Sequence, residues 1–146
     1  MATKGLATLI RLSKWTVDDK RRALTALQAR EDEILADITA AEAQLIAEQR
    51  AAAADLTGIG FVYGAYARSW LNRRAQLDSM LEQIRAEIVR AGDELSEAFN
   101  QLKTYEITER ERKRRADEER DRKEQAFLDE IGLNIHRRRG QTEPPA

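Results

Sequence analysis

The chain has 146 residues, of which 35% are Asp, Glu, Lys or Arg and only 5% are aromatic, and its net charge is -1 with a pI near 6.0. This near-neutral balance of many charges excludes a protein built on one basic surface, and the absence of cysteine excludes disulfides and thiolate metal sites and fits a reducing compartment. No stretch is apolar for long enough to suggest a secretion signal or a membrane span, so a cytoplasmic protein is expected.

From Leu6 to Asp55 an apolar seam follows 4,3 spacing. Ile10, Val17, Leu24, Ile38, Leu45 and Ala52 occupy a positions and Leu6, Leu27, Ile34 and Ala41 occupy d positions, with polar interruptions at Ser13, Lys20, Glu31 and Glu48. This predicts a first helix over about 6–55. Gly58, Gly60 and Gly64 then fall close together in LTGIGFVYG and predict a turn over about 56–64. A second seam follows, with Trp70, Leu77, Ile84, Ala91, Ala98 and Tyr105 at d and Leu81, Ile88, Leu95 and Leu102 at a. It predicts a second helix over 65–128 or beyond.

Two long seams joined by a short glycine-rich connection are expected to fold back on each other, because either helix alone would leave its stripe wet. The fold class is therefore all-α, a long antiparallel two-helix coiled-coil hairpin forming one domain over 1–140, with residues 141–146 as a disordered tail. At 1.5 Å per residue the first arm is about 75 Å long. A core one layer thick leaves no room for a deep active site. With the turn centred near residue 60 or 61, partner numbers across the hairpin add to about 121, which sets Tyr105 across from Thr16 and leaves the chain unpartnered from about Arg120.

The stretch ERERKRRADEERDRKE, residues 109–124, is charged at every position except Ala116. The seam positions there become Glu109, Arg112, Ala116, Glu119 and Lys123, which no apolar face would accept. An overhanging charged helical arm is expected, supported by the acid-first pairs Glu109/Lys113, Glu111/Arg115, Glu118/Arg122 and Glu119/Lys123, each worth about 0.2–0.5 kcal/mol. Phe127, Leu128, Ile131, Leu133 and Ile135 then form a small apolar patch, read either as a partner contact or as a cap over Leu6, Leu9 and Ile10.

Catalytic chemistry finds no footing in this pattern. His136 is the single histidine and lies among Arg137, Arg138 and Arg139, with nothing to complete a triad or a multi-histidine metal site. The glycine stretch lacks the lysine and serine or threonine of a phosphate-binding loop, so it reads as a plain turn. The basic groups at 20–22, 112–115 and 137–139 are mostly flanked by acids, which argues for a solvated face or an acidic protein partner over nucleic acid. The narrow seams do not suit membrane-surface binding. No enzyme activity, cofactor or metal is expected. Trp70 and Tyr105 fit seam positions, whereas Tyr63 and Tyr66 lie near the thin end, where exposed aromatics would suit docking.

The opening RLSKWTVDDKRR at residues 11–22, the glycine-rich tip and a charged arm ending in KEQAFLDEIGL and an arginine cluster together resemble the flagellar export protein FliJ family, over nearly the whole chain. In the opening, Trp15 and Val17 stand where the family pattern has a large residue, then valine or leucine, then acids. The resemblance implies a stalk of the flagellar type III export apparatus, at the inner-membrane base of the flagellum, that is a monomer when free. It implies as partners the hexameric export ATPase, whose ring receives the end carrying both termini, together with the membrane-embedded export gate and export chaperones. Carried over to this chain, ring contacts fall to Arg11, Lys14, Trp15, Arg110, Arg114, Arg115 and Arg122, and gate contacts to Tyr63, Tyr66 and Arg73. Two other readings stay open at this point: the equivalent stalk of a virulence type III secretion system, and a generic self-associating coiled coil.

Overall fold

The computed structural model describes residues 2–54 and 60–142. Two long helices, α1 (Ala2–Ala54) and α2 (Gly60–Thr142), pack together as a coiled-coil-like hairpin, and among the described residues there is no strand. Both helices are rich in Ala, Leu, Glu, Arg and Gln and free of proline, so propensity and seam spacing agree along their length. Exposed threonines return their hydroxyls to the backbone one turn earlier, as from Thr16 to the Leu12 carbonyl at 3.0 Å, which satisfies them without breaking the helix.

Tertiary contacts divide the chain into two units, one of Met1–Arg11 with Leu102–Ala146 and the other of Leu12–Gln101. In the second, Ile34, Ile38, Ala41, Leu77 and Ile84 form the core, with Leu27, Trp70, Leu81 and Ile88 packed against it. Every one of these is an a or d residue of the two seams. Two of the seam's polar interruptions prove to be structural. Lys20 and Glu31 are half-buried and reach across to the other helix, Lys20 Nζ to Glu94 Oε2 at 3.0 Å and Glu31 Oε2 to Arg85 Nε at 3.4 Å. Arg74, also half-buried, pairs with Glu42 on α1 and with Asp78 one turn along its own helix, the latter at 3.2 Å. These bonds raise the Arg74 pKa above its usual value, with the hydrogen bond to Glu42 the largest cause. Glu48, by contrast, is exposed.

The pairs Lys20–Glu94, Glu31–Arg85 and Glu42–Arg74 fix the register, and their residue numbers add to about 115. The expected value of 121 is about six residues too large. It rests on a turn running through residue 64, whereas α2 begins at Gly60 and residues 60–64 are helical. Glycine in a helix costs about 1 kcal/mol relative to alanine. Here the half-buried Tyr63, Tyr66 and Trp70 follow at once and give the first turns of α2 packing that propensity alone would not supply. Residues 55–59 of the expected turn lie outside the described residues, as does the expected tail from 143 onward. Gln141 and Thr142 of that tail are helical.

Trp70 also anchors the register from its ring edge. Its Nε1–H donates to the Ala41 carbonyl at 2.7 Å. Trp70→Phe keeps most of the ring's packing but removes this donor, so it is expected to cost about 1 kcal/mol in urea unfolding. Trp15→Phe, at a position 61% exposed, should cost nothing measurable. Equal losses for the two would show that the indole bond does not contribute.

In the first unit Leu6, Ile10 and Leu102 are buried and Tyr105 is half-buried. Leu6 meets α2 beside a crevice of about 300 Å³ lined by Glu109, Arg112, Lys113 and Ala116. Beyond this point the helix is bare: every residue from Glu118 to Gln141 is exposed. The unpartnered arm therefore starts near Asp117 rather than Arg120, as the corrected register requires.

Candidate functional site

The first unit carries most of the expected ring contacts. Arg110, Arg115 and Arg122 are exposed on α2, and Arg11 is exposed on α1. Arg114 is held from both sides, its Nη2 on Glu111 Oε2 at 3.0 Å and its Nη1 on Glu118 Oε1 at 2.7 Å. The hydrogen bond and charge of Arg114 hold the Glu111 carboxyl below its usual pKa, and the same hydrogen bond leads the causes that raise the pKa of Arg114. Arg114 thus braces the arm and is a poorer candidate for a partner contact than Arg110, Arg115 or Arg122.

The pairs that support this helix differ from those expected. Glu119–Lys123 is in place at 3.6 Å. Glu111 also feels the charge of Arg115, which helps to lower its pKa, but the close ion pairs beside it are Glu111–Arg114, Arg114–Glu118 and Asp117–Arg120, the last at 3.2 Å. Spacing of three serves as well as spacing of four, because residues at both spacings are neighbours on the helix surface and arginine's long fork reaches either. The charged run is a helix clad in alternating sign, with no broad field of one sign.

Past that run, Phe127, Leu128, Leu133 and Ile135 are 49–64% exposed and Ile131 is 38% exposed. The reading of this patch as a cap over Leu6, Leu9 and Ile10 is thereby excluded, and an open contact surface remains.

In the other unit, the expected contacts Lys14 and Trp15 are both exposed on α1. Trp15 lies beside a shallow groove of about 320 Å³ that it lines with Asp18, Asp19 and Arg22. Its heptad position faces away from α2, so the indole takes no part in the hairpin core. A large amphipathic ring in such a place is the residue type that anchors protein contacts.

The expected gate contacts are less open than the sequence suggests. Tyr63 and Tyr66 are half-buried, and Arg73 is exposed. Tyr63 lies seven residues before Trp70 and so continues the d stripe, which turns it toward the seam. The exposed apolar side chains in this stretch include Val62 at 64% and Leu71 at 61%, which a search for aromatics alone passes over. The cross-helix ion pairs escape the sequence reading as well. Their signal is present, since a charge at a or d in a closed seam demands an opposite charge on the facing helix.

Among the described residues no group of three or more His, Cys, Asp or Glu could hold a metal ion, and no helix is long and apolar enough to cross a membrane. The Flagellar FliJ proteins of two strains of Caulobacter vibrioides, NA1000 / CB15N and ATCC 19089 / CIP 103742 / CB 15, are each 31% identical to this chain over 131 residues, covering 90% of the chain and 94% of the relative. No family model and no solved structure matches. At that identity and over nearly the whole length of both proteins, the chain belongs to the flagellar FliJ protein family.

Proposed function

We propose that this chain is a soluble, cytoplasmic stalk of the flagellar type III protein export apparatus. The end that carries both termini enters the hexameric export ATPase ring and promotes its assembly, and the opposite end couples the ring to the membrane-embedded export gate. Export chaperones are further partners of the same stalk. The observation that carries this reading is a two-helix hairpin, in a chain of this family, whose second helix runs on bare from near Asp117 with charges of alternating sign.

The physical logic is exchange. A rotating or reorienting contact with six similar subunits needs many weak interactions, and solvent-exposed ion pairs are worth only about 0–1 kcal/mol each. Arg110, Arg115 and Arg122, with Arg11, Lys14 and Trp15, supply such contacts. At the other end, Arg73 with Val62 and Leu71 offers the open surface for the gate, and Tyr63 and Tyr66 support it from their half-buried positions.

The test is ATP hydrolysis by the same organism's flagellar export ATPase, at a concentration where that enzyme is mostly monomeric, with and without this chain. A several-fold rise that coincides with hexamer formation is expected. An unchanged rate with no co-migration, from a chain shown to be helical, would refute ring insertion and leave the hairpin with another partner.

A further inference from the structure

The arm's apolar patch has an order that the proposed function leaves unused. At 100° per residue, Glu124, Phe127, Leu128, Ile131, Ile135 and Arg138 fall within about 100° of arc, so they form a single stripe along α2. An acid heads the stripe, a base ends it, and the four residues between are apolar. All six are exposed. Leu133 points to the opposite side of the helix and is 57% exposed.

We propose that this stripe pairs antiparallel with the same stripe of a second copy of the chain, about a two-fold axis at Ile131. In that register Ile131 faces its own counterpart, Phe127 of each copy meets Ile135 of the other, and Glu124 of each meets Arg138 of the other. Leu128 falls opposite Asn134 at the edge of the row, and opposite charges meet under the one operation that also pairs Phe127 with Ile135. Such self-complementarity is what an isologous interface requires. A parallel arrangement would instead set Glu124 against Glu124 and Arg138 against Arg138.

In this register Thr142 falls opposite Arg120 of the second copy, and the stripe itself, 124–138, lies wholly beyond the stretch of Glu109 to Ala116 where Leu6 packs. A membrane surface fits the arm less well, because Asp121, Glu124, Asp129 and Glu130 are interspersed with Arg122, Lys123 and Arg137 to Arg139 and leave no wholly basic face beside the apolar residues. The stripe is small, roughly half of the ~800 Å² per partner that a stable interface buries. Pairing is accordingly weak and reversible, with monomers in dilute solution and pairs at high local concentration. It stands independently of the proposed stalk function.

The absence of cysteine from these 146 residues gives a direct test in the whole chain. Ile131→Cys, placed on the axis, should cross-link to a homodimer under mild oxidation about tenfold faster or more than Leu133→Cys, which is exposed in the same turn but off the stripe. In the Ile131→Cys background, Glu124→Arg or Arg138→Glu alone should slow cross-linking several-fold, and the two together should restore it. Equal rates for Ile131→Cys and Leu133→Cys would overturn the pairing and leave the stripe to a partner of other chemistry. Single charge changes without effect, or a double exchange that restores nothing, would overturn the antiparallel register. Circular dichroism of each variant guards against loss of the fold.

Discussion

Ile34→Ala should lower the unfolding free energy by about 2–5 kcal/mol, read by urea denaturation followed by far-UV circular dichroism. Ile34 is the most deeply buried large side chain of the described residues, 2% exposed, and it belongs to a cluster drawn from both helices. Truncation removes three carbons from the layer of core that holds α1 to α2 at that height. A two-helix seam has no second layer to collapse into the space, which raises the cost. A crevice beside Ile34, lined by Arg30, Met80, Gln83, Ile84 and Glu87, lets neighbours relax and water approach, which lowers it. The balance places the loss at about 3 kcal/mol, in the middle of the range. Leu128→Ala, on the bare arm, should change stability by no more than about 0.5 kcal/mol. A loss below about 1 kcal/mol at Ile34 would show that stability is not concentrated in this cluster.

The same contrast explains what the sequence makes legible. Heptad spacing finds Ile34, Ile38, Ala41, Leu77 and Ile84 because burial in a coiled-coil seam is a periodic property, written locally at every turn. Register is different. It depends on where α2 begins, and three glycines mark a region of permissive backbone without marking which of them the chain bends at. Gly60 and Gly64 are taken into the helix, and the register shifts by about six residues from the expectation. The ion pairs that fix it, Lys20–Glu94 and Glu31–Arg85, are visible in the sequence only as faults in the seam. Candidate contacts divide on the same line. Trp15 is open because its heptad position says so, whereas Tyr63 is half-buried because the d stripe continues past Trp70 toward the turn. Partner contacts themselves leave no periodic trace, since an exposed arginine bound for a protein surface has the same spacing as one bound for water.

A chain ended after Ala116 is expected to keep its fold and lose its effect on the export ATPase. The residues removed, from Asp117 on, make no packing contact that the hairpin needs, since all but Asp117 are exposed up to Gln141. Their ion pairs are local to the arm, as in Asp117–Arg120 and Glu119–Lys123, and leave with it. The Arg114–Glu118 pair is broken, but Arg114 keeps Glu111, and an exposed pair of this kind contributes less than about 1 kcal/mol. The unfolding midpoint should therefore shift by no more than a few degrees, about what 1 kcal/mol produces in a chain of this size. Ending the chain after Tyr105 is the poorer experiment, because it also strips away Glu109, Arg112, Lys113 and Ala116, which surround Leu6, and so confounds loss of the arm with damage to the first unit. If the chain ended after Ala116 folds and still stimulates the ATPase fully, the bare arm is not what the ring receives, and the contact lies among the residues that are kept, Arg110 and Arg115 on α2 or Arg11, Lys14 and Trp15 on α1. If it folds and stimulation is gone, restoring residues 117–125 alone separates the charged run, with Arg122, from the apolar stripe that begins at Phe127.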